Sequence, residues 1–260
     1  MEFQLFYPSL STALQRPLPG EEAQCLMAPL GRPSTGSMLE KYPDHRKSAV
    51  LMLVYPDALG IAHTVFMERA HDGSLHSGQI GFPGGGLERH DASPMHAALR
   101  EFEEEVGVDD SQIQIVGPLT PLFIPASRFM VYPFVGISHH TPVFTPDPVE
   151  VQSLIHTPIG ELLQFEIEQG SFPTSYGTMQ APCYRLNEHK LWGATAMIVS
   201  AHIPNTASRF LRSRSQASCQ SELPSSDAAA GGTAGEETEA DIGVAGGWRS
   251  GLEPDLGIHP

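Results

Sequence analysis

The spacing of apolar residues predicts that the middle of the chain forms a β-sheet. Ser48 to Tyr55 is a nearly continuous apolar run, which is typical of a central strand. Ile61 to Met67 predicts its partner, because a short segment containing Pro, Asp and Gly separates the two runs. Further strands are predicted over Ile113 to Leu119 and Val131 to Ser138, whereas Val149 to Ile155 is only weakly patterned.

Other periodic segments lie toward the two ends of this region. The pattern favours short helices around Tyr7 to Gln15 and Pro158 to Glu166, a hairpin turning at Asn187-Glu188, and a buried last helix over Gly193 to Ala201. Beyond about residue 206 the chain is rich in Ser, Ala, Gly and Glu, and it has few large apolar groups to offset the entropy of ordering. We therefore divide the chain into an N-terminal extension (1–47) packed on the core, one domain (48–206) and a disordered tail (207–260).

An amphipathic helix of about 13 residues is predicted from Pro94 to Val106. Ser93 is a good N-cap, Pro suits the first helical position, and Gly107 suits a left-handed end. One stripe of this helix is apolar and is expected to pack on the sheet; it contains Met95, Ala98, Leu99, Phe102 and Val106.

The same helix carries four glutamates in five positions. Glu101, Glu104 and Glu105 share an arc of about 100° beside the apolar stripe, whereas Glu103 falls on the other side. Like charges at this spacing repel each other, so a cation is expected to compensate them. Carboxylate oxygens suit hard divalent metals, and such metals suit phosphate chemistry. The alternative is an ordinary solvated acidic face.

Composition narrows the classes of partner. The chain of 260 residues has 30 acidic and 15 basic side chains and a net charge of −15, which argues against binding to nucleic acid or to an anionic membrane. No apolar run approaches the length of a membrane span, and no signal peptide is expected. The three cysteines have neither metal spacing nor an even framework. A cytoplasmic location is therefore expected.

The run from Gly86 through Arg100-Glu101-Phe102-Glu103-Glu104-Glu105-Val106-Gly107-Val108 resembles the Nudix box, whose core is Arg-Glu-apolar-any-Glu-Glu-any-Gly-apolar after an upstream glycine. One position departs from that box. Ala92 stands where a glutamate is usual, and Glu88 and Asp91 stand nearby.

A second motif resembles the coenzyme A pyrophosphatase branch of the Nudix family. Glu68-Arg69-Ala70 leads into His76-Ser77-Gly78-Gln79-Ile80-Gly81-Phe82-Pro83-Gly84-Gly85, which is similar to that branch's signature. The signature commonly has a second arginine, at the position of Ser74 here. The resemblance spans roughly residues 17–203 and implies an α/β/α sandwich with a mixed sheet between helices.

The resemblance also implies roles for individual residues. Glu101, Glu104 and Glu105, with the Gly85 carbonyl, are expected to hold Mg²⁺ or Mn²⁺. Glu101 and Glu104 are expected to act in catalysis, and Arg100 is expected to orient a carboxylate. Arg69 and His76 match the branch signature and are expected to contact the substrate, and the basic residues Arg46 and Lys47 are further candidates for its phosphates. The alternatives are surface cations for Arg46 and Lys47 and a loop residue without function for His76.

Three functions are consistent with these residues. The first is hydrolysis of the pyrophosphate of coenzyme A or an acyl-coenzyme A to 3′,5′-ADP and 4′-phosphopantetheine or its acyl form, as the resemblance implies. The second keeps this chemistry but acts on ADP-ribose or another nucleoside diphosphate derivative. The third is a nucleotide sensor that does not catalyse. The expected partner is a small nucleotide of the coenzyme A type, and a homodimer is left open.

Overall fold

The computed structural model describes residues 1–174 and 177–201, so the predicted tail at 207–260 lies outside the described residues. Most of the described strands belong to one mixed sheet. Its strands are β1 (Arg46–Pro56), β2 (Ala62–Arg69), β3 (Ile80–Gly81), β4 (Gly84–Gly86), β5 (Gln114–Pro118), β6 (Leu122–Ile124), β7 (Phe129–Ile137) and β8 (Val151–Pro158). A second sheet contains β9 (Ile167–Thr174), β10 (Gly177–Leu186) and β11 (His189–Trp192).

β1 lies at the centre of the large sheet, as its apolar run predicted. It pairs in parallel with β7, from Arg46 opposite Phe129 to Val54 opposite Ile137. It pairs antiparallel with both β2 and β4, while β3 and β8 pair with β2, and β5 and β6 pair with β7. The short strand β4 is thereby fixed next to the first half of β1, with Ala49 opposite Gly85.

Alternation along β1 separates two apolar layers. Ala49, Leu51 and Leu53 face one layer, which they form with the helix α4 (Pro94–Val106). Val54 and partly buried Val50 belong to the opposite layer. That layer is covered by α1 (Phe3–Leu14), α5 (Ile159–Leu162), α6 (Gly193–Ser200) and the small sheet. Helices therefore lie on both sides of a mixed sheet, which confirms the predicted fold class.

The helix α4 has the predicted bounds. Its first turn is capped by Ser93, whose hydroxyl accepts a hydrogen bond from the backbone N–H of His96 at 3.3 Å. It ends at Gly107, which has a φ of 70°, and a Cβ there would lie 2.5 Å from the carbonyl oxygen of Thr145. The cap geometry therefore sets both ends of the helix. The buried stripe includes Ala97, whereas Met95 is only partly buried.

Several elements lacked a clear sequence signal. They are α2 (Gly20–Cys25), α3 (Thr35–Lys41), β9 and the first half of β10. The N-terminal residues contact the large sheet, because the Phe3 backbone N–H donates to Gly60 and the Phe3 ring is buried. α2 contacts α6, where the Ser200 hydroxyl donates to the Ala23 carbonyl at 3.0 Å. In the part of the chain that the structure describes, no helix has both the length and the apolarity needed to cross a bilayer.

Candidate active site

The glutamates of α4 differ strongly in burial. Only 2% of the Glu105 side chain is exposed, compared with 15% for Glu101 and 60% for Glu104. Glu105 follows the apolar stripe inward, whereas Glu104 lies at its outer margin. The arc that the sequence predicted therefore runs from the edge of the core to the surface, a gradient that an ordinary solvated face would not have.

The strand β4 brings backbone directly against these carboxylates. The backbone N–H of Gly84 donates to Oε2 of Glu105 at 2.6 Å. The carboxylate of Glu101 lies against Gly85, where an added Cβ would be only 2.2 Å from its Oε2. Gly84 has a φ of +147°, and a Cβ there would lie 2.2 Å from the carbonyl oxygen of Ala49. Glycine is needed at both positions for the close approach.

Arg100 is held by several acceptors at once. Its Nε and Nη2 donate to the two carboxylate oxygens of Asp91 at 3.1 and 3.0 Å. Nη2 also donates to the Gly86 carbonyl, and Nη1 lies 2.8 Å from Glu104 and 3.0 Å from Glu101. A guanidinium with this many partners has a fixed position. Arg100 therefore positions two of the glutamates and links them to β4 (Gly84–Gly86), the glycine strand.

Asp91 is a site residue that the sequence reasoning did not select. It stands one position before Ala92, and only 3% of its side chain is exposed. Hydrogen bonds from Arg100 lower the pKa of Asp91 to about 2. The sequence pointed to it only through the acidic residues near Ala92, the position where the Nudix box usually has a glutamate. Choosing between Asp91 and Glu88 required the path of the turn, which leaves 59% of the Glu88 side chain exposed.

The buried end of the arc has an excess of negative charge. Burial raises the pKa of Glu105 to about 8, against the opposing effects of the Gly84 hydrogen bond and of Arg69. Burial also raises the pKa of Glu101, whereas Arg100 acts to lower it. Glu150 adds a further carboxylate close enough to raise both. Nothing in the sequence distinguished Glu150, since backbone contacts with distant segments bring it here: its carbonyl accepts from Ala70 at the end of β2, and the nearby Asp147 N–H donates to the Glu105 carbonyl.

Arg69 lies at this buried end. Its Nη1 is 3.5 Å from Oε1 of Glu105, and 36% of its side chain is exposed. One part of the guanidinium therefore faces the glutamate while another part faces solvent. Arg69 is thus placed to contact both the acidic arc and a ligand.

The other residues predicted to contact the substrate have partners outside the arc. Arg46 donates to the Ser127 carbonyl at 3.1 Å, and its guanidinium lies 4.1 Å from the centre of the Phe129 ring. Lys47 is exposed, and its carbonyl accepts a hydrogen bond from Leu87, beside the glycine strand. His76 lies in the loop before β3, with Nδ1 at 3.0 Å from Oε1 of Gln79. The structure therefore brings Arg69 to the glutamates, whereas the contacts of Arg46, Lys47 and His76 are with residues outside the arc.

The donor set fits a hard divalent cation. The candidate ligands are the carboxylates of Glu101, Glu104 and Glu105 and the carbonyl of Gly85, all oxygen donors of the kind that Mg²⁺ and Mn²⁺ prefer. The buried Glu105, whose charge is disfavoured by desolvation, is the clearest sign that positive charge belongs here. Within residues 1–174 and 177–201, no three acidic, histidine or cysteine side chains already converge as a metal site. The glutamates instead contact Arg100, Arg69 and Gly84.

The region that contains this site is similar to known proteins. Residues 45–174, half of the chain, match the NUDIX domain. "Nudix hydrolase 22, chloroplastic" of Arabidopsis thaliana is 31% identical over 161 residues, which cover 59% of this chain and 53% of that protein. "Nudix hydrolase 15, mitochondrial" of the same plant is 29% identical over 189 residues, covering 69% and 66%.

A bacterial protein is also similar. "Uncharacterized Nudix hydrolase NudL" of Photorhabdus laumondii is 32% identical over 125 residues, which cover 48% of this chain and 66% of that protein. The chain therefore spans between about half and two thirds of the length of these curated relatives. The NUDIX match includes the acidic helix, the glycine strand and Arg69. The chain belongs to the Nudix family.

Proposed function

We propose that this chain is a metal-dependent pyrophosphatase that hydrolyses the pyrophosphate of coenzyme A or acyl-coenzyme A. The products would be 3′,5′-ADP and 4′-phosphopantetheine or its acyl form. The observation that carries the proposal is the contact between the acidic face of α4 and the glycine strand: Glu105 accepts from the Gly84 N–H at 2.6 Å, and Glu101 lies against Gly85. This arrangement concentrates carboxylates where a phosphate-bound cation would be needed.

Each residue has a defined task in this reaction. Glu101, Glu104, Glu105 and the Gly85 carbonyl would hold Mg²⁺ or Mn²⁺, which supplies neutralisation of the phosphate charge. Arg100, anchored by Asp91, keeps Glu101 and Glu104 in position. Arg69 neutralises Glu105 and offers its exposed part to a phosphate. Glu101, whose side chain is 15% exposed and lies close to Glu104 and Glu150, is the favoured group for accepting a proton from the attacking water.

The reaction consumes one water. The water oxygen forms a bond to one phosphorus. The bond from that phosphorus to the bridging oxygen, on the opposite side, breaks. The bridging oxygen leaves with the second phosphate, and the proton lost by water passes first to the base and then to solvent. Two phosphate monoesters result, without an oxidant or a second substrate.

Two observations bear on the substrate. The stretch from Gly78 to Gly85 resembles the coenzyme A signature, and it forms the loop and strands next to the glutamates. Ser74, where that signature has an arginine, weakens the preference for coenzyme A over a second candidate, ADP-ribose or another nucleoside diphosphate derivative. A nucleotide sensor without activity is the third candidate.

Mass spectrometry of the products separates these candidates. The purified full chain is incubated with coenzyme A or with ADP-ribose, in Mg²⁺ or Mn²⁺, beside Glu104→Gln as the matched control. We expect 3′,5′-ADP and 4′-phosphopantetheine from coenzyme A, and a loss of about 100-fold in the Gln variant without loss of folding. Cleavage of ADP-ribose alone would overturn the substrate, and nucleotide-induced stabilisation without cleavage would overturn the activity. Full turnover in the Gln variant would contradict the role of Glu104.

A cytoplasmic location completes the proposal, and a homodimer is left open. The two plant relatives carry chloroplastic and mitochondrial in their names. Subcellular fractionation tests the location, and light scattering of the purified chain tests the dimer.

A further inference from the structure

A cleft of about 690 Å³ opens beside the site but is distinct from it. One wall is the loop from Gly73 to Ile80, which connects β2 to β3, and the other wall is the small sheet of β9, β10 and β11. The glutamates of α4 do not line it. Its volume lies within the range of small-molecule binding sites.

The small sheet presents an aromatic and cationic surface to the cleft. Lys190 and Trp192 are two positions apart on β11, so they project from the same face of the sheet. The Trp192 ring stacks on Phe172 of β9, with centroids 4.2 Å apart and planes 7° apart. Lys190 is exposed while Phe172 is buried, which places the charge at the mouth and the aromatic pair deeper.

The charge of the lining is opposite to that of the chain as a whole. The chain has twice as many acidic as basic residues, yet among residues 1–174 and 177–201 no Asp or Glu lines the cleft, whereas Lys190 does. Glu168 is close enough to Lys190 to be affected by its charge. Its carboxylate is already paired with Arg185 through two hydrogen bonds of 3.0 Å. Lys190 therefore keeps a free positive charge that suits an anionic ligand.

The cleft is within reach of the acidic arc. Ile80 lines it, and Gly84 donates to Glu105 only four residues later. Four residues span at most about 14 Å, even when fully extended. The Thr195 hydroxyl donates to the Ile80 carbonyl at 3.1 Å, which fixes the end of β11 against β3. One elongated ligand could therefore occupy both places.

We propose that this cleft binds a phosphorylated nucleoside at the end of the substrate remote from the bond that is cut. Lys190 pairs with the terminal phosphate, and Phe172 with Trp192 provides apolar surface for the base. The role of the cleft in catalysis rests on the proposed pyrophosphatase function. The ligand class follows from the lining, because a phosphate needs a cation and a base needs a flat apolar surface.

Binding of adenosine 3′,5′-bisphosphate tests the cleft without turnover. We expect Lys190→Ala to weaken this binding about tenfold in calorimetry of the full chain, and to leave binding of adenosine 5′-monophosphate nearly unchanged. Lys41→Ala is the matched control, since Lys41 is equally exposed and does not line the cleft. Equal affinity of wild type and Lys190→Ala for the bisphosphate would overturn the proposal.

Kinetics provide the second arm. With coenzyme A, Lys190→Ala should raise KM about tenfold and leave kcat unchanged, whereas 3′-dephospho-coenzyme A should show little change in KM. Ser74→Arg adds a cation on the opposite wall, where Ser74 is exposed, and should restore bisphosphate binding to Lys190→Ala. The same rise in KM with both substrates would refute the assignment of the terminal phosphate. If the chain cleaves no coenzyme A but its binding of the bisphosphate still depends on Lys190, the assignment of the cleft stands and the proposed pyrophosphatase function is rejected.

Discussion

Replacing Asp91 with Asn tests how Arg100 is held. Asp91 accepts hydrogen bonds from Nε and Nη2 of Arg100 at 3.1 and 3.0 Å, and its side chain is 3% exposed. Asn has nearly the same size, but it lacks the charge and turns one acceptor into an N–H donor that faces the guanidinium. The substitution therefore removes the two-point anchor of Arg100 without opening a cavity.

The pKa of Asp91 gives the size of the expected change in the free energy of unfolding. Hydrogen bonds from Arg100 lower the pKa of Asp91 from 3.8 to about 2. This difference corresponds to roughly 2 kcal/mol of folding free energy. Solvent screens part of it, because 17% of the Arg100 side chain is exposed. We therefore expect Asp91→Asn to lower the free energy of unfolding by about 1–2 kcal/mol at pH 7.

The sign of the pH dependence is fixed by the direction of the shift. A carboxylate whose pKa is depressed by folding stabilises the protein above its unfolded pKa, and this stabilisation is lost as the pH falls through the folded pKa. The difference between wild type and Asp91→Asn should therefore be complete above about pH 5 and should shrink between pH 4 and pH 2.

Urea unfolding at pH 7, 4 and 2.5, followed by intrinsic fluorescence, measures this difference. Asp44→Asn is the control, because Asp44 is exposed. Turnover should also fall by about tenfold, since Arg100 contacts Glu104 at 2.8 Å and Glu101 at 3.0 Å. Equal free energies of unfolding for wild type and Asp91→Asn at pH 7 would show that the Asp91–Arg100 contact does not stabilise the fold. Unchanged turnover would refute the positioning role of Arg100.

Other substitutions separate structure from activity. Gly84→Ala should destabilise the fold by about 3 kcal/mol or more, because the new Cβ would meet the backbone oxygen of Ala49, and a thermal melt like that of wild type would contradict this. Gly85→Ala should fold but lose about tenfold in kcat, because the Glu101 carboxylate must move; unchanged kcat would exclude that contact as important. Glu150→Gln should raise the Mg²⁺ concentration for half-maximal activity about fivefold, since it removes negative charge near Glu101, and an identical Mg²⁺ titration would disprove this.

Local signals predicted the elements that frame the site. The continuous apolar run predicted β1, and the Ser93 cap, the helical stripe and Gly107 predicted α4 with its observed bounds. These signals depend only on neighbouring residues, because caps, periodicity and chain stops act over one or two turns. By contrast, β9 and α3 had weak patterns, since their stability comes from packing against distant segments rather than from their own sequence.

The predicted site residues divide in the same way. The arc of Glu101, Glu104 and Glu105 follows from helix geometry, so it could be read from the sequence. The contact of Arg69 with Glu105 joins β2 to α4, two elements that the sequence alone does not place side by side. Asp91 was visible only as one of two nearby acids, and the turn decided between them.

The family, the acidic helix and the glycine-rich run before it follow from the sequence, because each depends on residues close together in the chain, whereas the strand that the run forms does not. Tertiary structure decided that Asp91 holds Arg100, that Glu150 joins the acidic arc, and that a cleft with Lys190 and Trp192 lies beside it. Asp91 depends on the path of the turn before α4, whereas the last two features unite segments that are up to about a hundred positions apart. Their proximity depends on strand register and on packing between layers, which no local pattern encodes.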